Sequence, residues 1–192
     1  MFIIGLCGPS GSGKTTIAKA LAKKIDACVV GMDNYFHLDP KVSKYNHLGK
    51  DLELPENTDW DAMNTLVDDI HKEKPVKVRK ISWKKLSVSE KTIKPKKYVI
   101  IEGFLLLHNK KLREKIDLNV YIDISDEVGL QRRLKREGQK NDKWFREVTF
   151  PEYSPRRKIF EKRADLIIDG EEDREKNVQK ILELINKHPH HS

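Results

Sequence analysis

Short apolar runs alternate with stretches of helical spacing along most of this chain. Residues 2–7 are apolar apart from one glycine and give way at once to a glycine-rich turn, so they read as a buried strand. Ile17, Ala18, Leu21, Ala22 and Ile25 then recur at three- and four-residue steps and mark one face of a helix. Residues 27–31 read as a second strand, 98–101 as a buried central strand ending at Glu102, and 118–122 and 166–168 as two more. Thr58 and Asp61 have capping-box spacing ahead of a helix through Met63, Leu66, Val67 and Ile70. Ser125 or Asp126 caps another, which carries Leu130 and Leu134, and Val178, Ile181, Leu182 and Ile185 mark the closing helix. Val76, Val78 and Ile81 alternate with charge and predict short strands, a hairpin over the site. Residues 33–57 are polar, and a stretch of that length inside a compact domain points to function. Strands separated by helical patterns predict an α/β fold on a parallel sheet.

Composition narrows the class. With 192 residues the chain is expected to form one domain with a sizeable core. No apolar run approaches the roughly 18 residues that span a bilayer, and the N-terminus lacks the charged flank of a signal peptide. Cys7 and Cys28 fall in different predicted strands and read as core thiols, which points to the cytoplasm. The formal charge of +8 suits either a funnel for anionic nucleotides or a lysine-rich surface, and no nucleic-acid motif accompanies it. The histidine-containing tail, 188–192, reads as a disordered chain end rather than a metal site.

The chemistry is concentrated behind the first strand. The run Gly8-Pro9-Ser10-Gly11-Ser12-Gly13-Lys14-Thr15 fits G-x-x-x-x-G-K-[ST], the P-loop or Walker A motif, with a strand before it and a helix after it. Its glycines let successive N–H groups turn inward as an anion nest, and the following helix adds its positive end. Lys14 is expected to reach the β- and γ-phosphates of ATP, and Thr15 to help hold Mg²⁺. The nucleotide-binding set expected is Gly8, Ser10, Gly11, Ser12, Gly13, Lys14, Thr15 and Thr16, with Arg132. Asp33 follows the second strand, where an open α/β sheet gathers its ligands, and a carboxylate there can take the proton of an attacking hydroxyl. Glu102 ends the central strand and suits Mg²⁺ or a substrate hydroxyl. Arg132, Arg133, Lys135 and Arg136 cluster on one helix, where guanidinium forks suit a transferring phosphoryl group under a closing loop.

Taken in order, these segments resemble the uridine kinase family of P-loop kinases, which includes nicotinamide riboside kinases. Beyond the P-loop, Met32-Asp33-Asn34-Tyr35-Phe36 resembles the family's Q-D-[DS]-F-[YF], whose Asp is the base, and the stretch from Glu53 to Asp61 resembles D-H-P-D-A-F-D-W-D. Glu102-Gly103-Phe104-Leu105-Leu106 is similar to E-G-[IF]-L-x, and Arg132-Arg133-Leu134-Lys135-Arg136 to the lid's R-R-x-x-R. Pro151 matches the later R-P-M element, and Ala164-Asp165-Leu166-Ile167-Ile168 matches Y-A-D-[VI]-I-I. The resemblance implies that the acid at Glu53 holds ribose hydroxyls. The family's acid is one methylene shorter there, and its next residue is His where this chain has Leu54. The Y-D-F and H-x-R elements of uridine-selective members are replaced by Lys80-Ile81-Ser82-Trp83-Lys84-Lys85, which weakens uridine as the acceptor. Phe104-Leu105-Leu106 leans towards the nicotinamide riboside kinases.

These observations predict a P-loop NTPase three-layer sandwich, a parallel five-stranded sheet with helices on both faces and a small lid. A single kinase domain spans 1–187, with a substrate-binding insertion at about 33–95 and the lid at about 132–150. The expected reaction moves the γ-phosphoryl group of ATP to a hydroxyl of a nucleoside or nucleoside-like substrate, nicotinamide riboside or another metabolite being the alternative acceptor. Asp33, Lys14, Arg133 and Arg136 are the expected catalytic residues, Asp33, Tyr35, Glu53 and Glu102 the acceptor contacts, and Thr15 and Glu102 the Mg²⁺ ligands. An NTP-dependent regulatory protein is the alternative of another class. The expected partners are a small-molecule substrate and, at most, further copies of the chain, with no nucleic acid and no membrane.

Overall fold

Period-two alternation along β1 (Phe2–Cys7) sends Ile3 and Cys7 to one side of a sheet and Phe2, Ile4 and Leu6 to the other. A computed structural model of the chain describes residues 1–37, 54–82, 85, 87–138 and 142–188. β1 is the middle of five parallel strands in the order β2-β5-β1-β6-β7, with β2 Cys28–Gly31, β5 Tyr98–Glu102, β6 Leu118–Asp123 and β7 Leu166–Asp169. Helices α1 (Lys14–Ile25) and α7 (Arg174–Lys187) cover one face through Ile17, Leu21, Val178 and Ile181. The other face is covered by α2 (Trp60–His71), the short α3 (Lys110–Arg113) and α6 (Phe150–Glu161), through Met63, Ile70, Leu112 and Phe160. This is the three-layer sandwich expected from the strand–helix alternation.

Helix α4 (Asp126–Glu137) begins at Ser125, whose hydroxyl accepts from Val128 N–H, and ends at Gly138. A short helical turn, α5 (Asp142–Trp144), and one turn of π-helix (Phe145–Thr149) lead from there into α6. β3 (Val76–Ser82) and β4 (Ser87–Ile93) form the expected antiparallel pair, outside the main sheet.

Two local expectations shift. The cap of α2 is Asp59, whose carboxylate accepts from Ala62 N–H at 2.9 Å, rather than Thr58. Thr58 is committed to a β-bridge with Phe36, and its extended backbone moves the helix start along by one residue. The strand 98–102 lies between β2 and β1, so the centre of the sheet is β1. At the other end of the chain His188 closes α7, its ring edge-on to Phe2 at 5.2 Å. Residues 189–192 of the tail and residues 38–53, Glu53 among them, lie outside the described residues.

Candidate active site

Strand register assembles the site. Leu6, Glu102 and Gly31 stand side by side at the carboxyl ends of β1, β5 and β2. The chain therefore leaves the sheet at one level three times, into the P-loop, at Glu102, and into the turn that carries Asp33. These segments line one cleft of about 430 Å³, together with Arg132 and Arg136 from α4.

The P-loop adopts the backbone its glycines permit. Gly11 and Gly13 have φ of +89° and +91°, and a Cβ on Gly11 would lie 2.8 Å from Gly129 O of α4. Ser12 is buried within the loop. Lys14 Nζ donates to Gly8 O and Pro9 O, both at 2.9 Å, which folds the ammonium back over the loop. Thr15 Oγ1 donates to Glu102 Oε1 at 3.0 Å, so the two expected metal ligands already touch. A hydroxyl and a carboxylate facing a phosphate cradle are the hard oxygen donors that Mg²⁺ prefers.

Asp33 lies in a short 3₁₀ turn (Met32–Tyr35) directly after β2. Its side chain is open to the cleft but walled in by protein, and this desolvation raises its pKa above the ordinary 3.8. Lys14, Arg136 and Arg133 pull the other way, and Glu102 adds to the rise. Its neighbour Asn34 fixes the turn, donating from Nδ2 to Gly31 O at 3.2 Å and accepting Ile81 N–H at Oδ1 at 3.0 Å. The base candidate is thereby tied to the hairpin 47 residues away in sequence.

Tyr35 is placed differently from expectation. Its ring is buried away from the P-loop cleft, against β3, where its hydroxyl accepts Arg79 N–H at 3.4 Å and the Arg79 guanidinium lies 5.5 Å from the ring centre. Arg79 Nη1 in turn meets Asp59 Oδ2 at 2.7 Å. Further ties run from His37 N–H to Asn57 O and from Asp59 N–H to Tyr35 O, so Tyr35 braces the walls of the site instead of lining it.

The arginines of α4 divide by direction. Arg132 Nη1 donates to Gly11 O at 3.2 Å and Gly170 O at 2.9 Å, which stitches α4 to both sides of the cleft. Arg136 also faces the cleft. Arg133 is buried, its guanidinium 3.9 Å from the centre of the Phe145 ring.

The connection from β7 to α7 and the first turn of α7 supply a wall that sequence reasoning missed: Gly170 and Glu172 from the connection, Arg174 and Asn177 from the helix. A Cβ on Gly170 would lie 2.7 Å from Ser12 O, so this loop packs directly on the P-loop. The Asp-Gly pair after the last apolar run carried that signal, since a glycine there allows such an approach.

Both cysteines are free, and the Cys7 thiol, fully buried, is pushed up to about 11. Among the described residues no helix is long and apolar enough to cross a membrane.

A family model, "Phosphoribulokinase / Uridine kinase family", matches residues 3–149. A uridine-cytidine kinase A of Dictyostelium discoideum is 33% identical over 143 residues, which take in 70% of this chain and 28% of that longer protein. A uridine kinase of Lactobacillus helveticus is 30% identical over 141 residues, 70% of this chain and 67% of its own. Among solved structures, a possible uridine kinase from Bacillus stearothermophilus superposes with a TM-score of 0.60 at 21% identity, over 88% of each chain. That likeness shows the shared fold.

Proposed function

The chain belongs to the phosphoribulokinase/uridine kinase family, and from its cleft we propose that it is an ATP-dependent kinase acting on a nucleoside or nucleoside-like hydroxyl. The observation that carries this reading is Asp33, a carboxylate that lines the same cleft as Lys14 and the Thr15–Glu102 pair.

In this mechanism the P-loop amides hold the triphosphate, and Lys14 exchanges Gly8 O and Pro9 O for phosphate oxygens. Thr15 and Glu102 are the residues that would hold Mg²⁺, which when bound neutralises charge on the phosphates. Asp33 accepts the proton of the acceptor hydroxyl as the new bond from that oxygen to the γ-phosphorus forms. The bond from the γ-phosphorus to the bridging oxygen breaks, and ADP departs with that oxygen. Arg136 faces the cleft and supplies positive charge to the transferring group. Arg133, buried against Phe145, contributes only through its field, which reaches Asp33. A shift of basicity suits the base: a carboxyl pushed upward by its surroundings takes a proton more readily than an ordinary one. Glu53 fits as a contact to the acceptor's sugar, as the resemblance implies. Two free thiols fit a cytoplasmic setting.

The test is ADP release from Mg·ATP across uridine, cytidine, nicotinamide riboside, pantothenate and ribulose 5-phosphate, with Asp33→Ala as control. Stimulation by a nucleoside or riboside that vanishes in the variant is the expected result. A flat response with ATP still bound, or an Asp33→Ala protein as active as the parent, overturns the reading.

A further inference from the structure

Outside the nucleotide cleft, two arginines come together where α3, α6 and the turn after β5 meet. Arg113 of α3 donates from Nη1 to Leu107 O at 3.1 Å. Arg163, just beyond α6, donates from Nη1 to the same oxygen at 3.0 Å and to His108 O at 3.3 Å. One neutral carbonyl therefore holds two guanidinium groups as neighbours. Among the described residues neither arginine forms an ion pair.

The surroundings add to the imbalance. The His108 ring stacks on Trp60 at 6.0 Å, and desolvation by the protein around it, followed by the charges of Arg156 and Arg163, holds its pKa below the usual value. Arg156 is itself occupied with Glu152. The other acids that face the corner are Glu56, beside His108, and Glu114, beside Arg113. A carbonyl oxygen has lone pairs for two donors, but its dipole does not cancel the repulsion between two like charges brought to it. A tetrahedral oxyanion taking one fork from each arginine does cancel it.

We propose that this corner is a second anion site, separate from the P-loop, which takes a phosphate-type oxyanion on Arg113 and Arg163 with His108 and Arg156 at its rim. Its floor is the stretch that leads out of the active site. Gly103 follows Glu102 and packs so closely on Met32 that a Cβ would lie 2.4 Å from the Met32 side chain, next to Asp33. An occupant that fixes Leu107 and His108 thus fixes the far end of the segment whose near end holds Glu102. The inference rests on the arginine geometry and stands whether or not the acceptor is a nucleoside.

The experiment is calorimetric titration of inorganic phosphate and, separately, ribose 5-phosphate into Lys14→Ala protein, in which the P-loop has lost its cation. Saturable one-to-one binding is expected, weakened by about tenfold or more on adding either Arg163→Gln or Arg113→Gln and largely kept by Arg163→Lys. Tighter binding of the sugar phosphate assigns the site to a metabolite's phosphate end, and equal binding assigns it to free phosphate. No binding in Lys14→Ala protein, or binding that neither glutamine variant alters, overturns the proposal. Circular dichroism checks folding, and should one glutamine variant unfold, the other and Arg163→Lys still decide the outcome.

Discussion

The two halves of the cleft are built in opposite ways. The nucleotide side is nearly one continuous segment: β1, the six-residue loop 8–13 and the start of α1, held in shape by left-handed glycines and by hydrogen bonds from Lys14 to its own loop. The proposed acceptor side, around Asp33, is assembled from parts far apart in sequence. Asp33 stands on a four-residue turn that depends on Asn34 reaching Ile81, on Tyr35 meeting Arg79, and on Arg79 reaching back to Asp59. A locally encoded site resists change elsewhere in the chain, whereas an assembled one transmits it. The contrast predicts that damage to the two halves will separate in the kinetics.

The largest expected effect is that of Asp33→Ala, which removes the proposed proton acceptor and leaves the phosphate cradle intact. Turnover should fall by about 10²–10⁴-fold while ATP binding, followed by calorimetry, stays within a few-fold. A comparable loss of ATP affinity would mean that the two halves are not separable. Next comes Gly11→Ala, which places a Cβ 2.8 Å from Gly129 O on a backbone at φ +89°. It should lower stability by about 1–3 kcal/mol in thermal or urea unfolding and weaken ATP, with acceptor preference unchanged. Asn34→Ala cuts the tie between turn and hairpin, and roughly a tenfold fall in kcat is expected from a misplaced base, with the KM for ATP unchanged. Rescue by Asn34→Asp should be poor, because a carboxylate cannot donate to Gly31 O.

The smallest effect sharpens the same division by pH. Asp33 must be ionised to act, so the rate should fall with acid through a pKa above 3.8, and Asp33→Asn should lack that limb altogether. The sign for stability is the reverse. With its pKa raised in the fold, Asp33 binds its proton more tightly in the native than in the unfolded chain, so its contribution to stability falls as pH rises from 3.8 through the raised value. Asp33→Asn should therefore melt slightly higher than the parent at neutral pH, the gap closing as pH is lowered towards 4. The gain stays small because the side chain is open to cleft solvent.

What could be read from the sequence follows the same division. The P-loop, its flanking strand and helix, and the strand-end positions of Asp33 and Glu102 were legible, because motif and period are local properties. The five strands followed from short apolar runs, and the faces of α1, α2, α4 and α7 from apolar residues three and four apart, whereas no such spacing marked α6. Tyr35 was read as an acceptor contact because sequence gives its place in a motif but not the direction of its ring, which Arg79 settles from β3. The capping residue of α2 moved to Asp59 because Thr58 was claimed by a bridge to Phe36, a contact between segments 22 residues apart. The wall from Gly170 to Asn177 was missed because its approach to the P-loop depends on which strands end beside each other.

The meeting of Gly11 with Gly129, and the grip of Arg132 on Gly11 O and Gly170 O, fix the root of α4 to the floor of the cleft. Mechanically, α4 is a cantilever. Its first two turns cannot swing without carrying the phosphate cradle along, so any closing travel must be taken up beyond Arg132, towards Arg136 and the terminal Gly138. The device that would bring positive charge onto a bound nucleotide is thus also a strut of its seat, and a bent tip, rather than a rotating arm, is the motion this architecture allows.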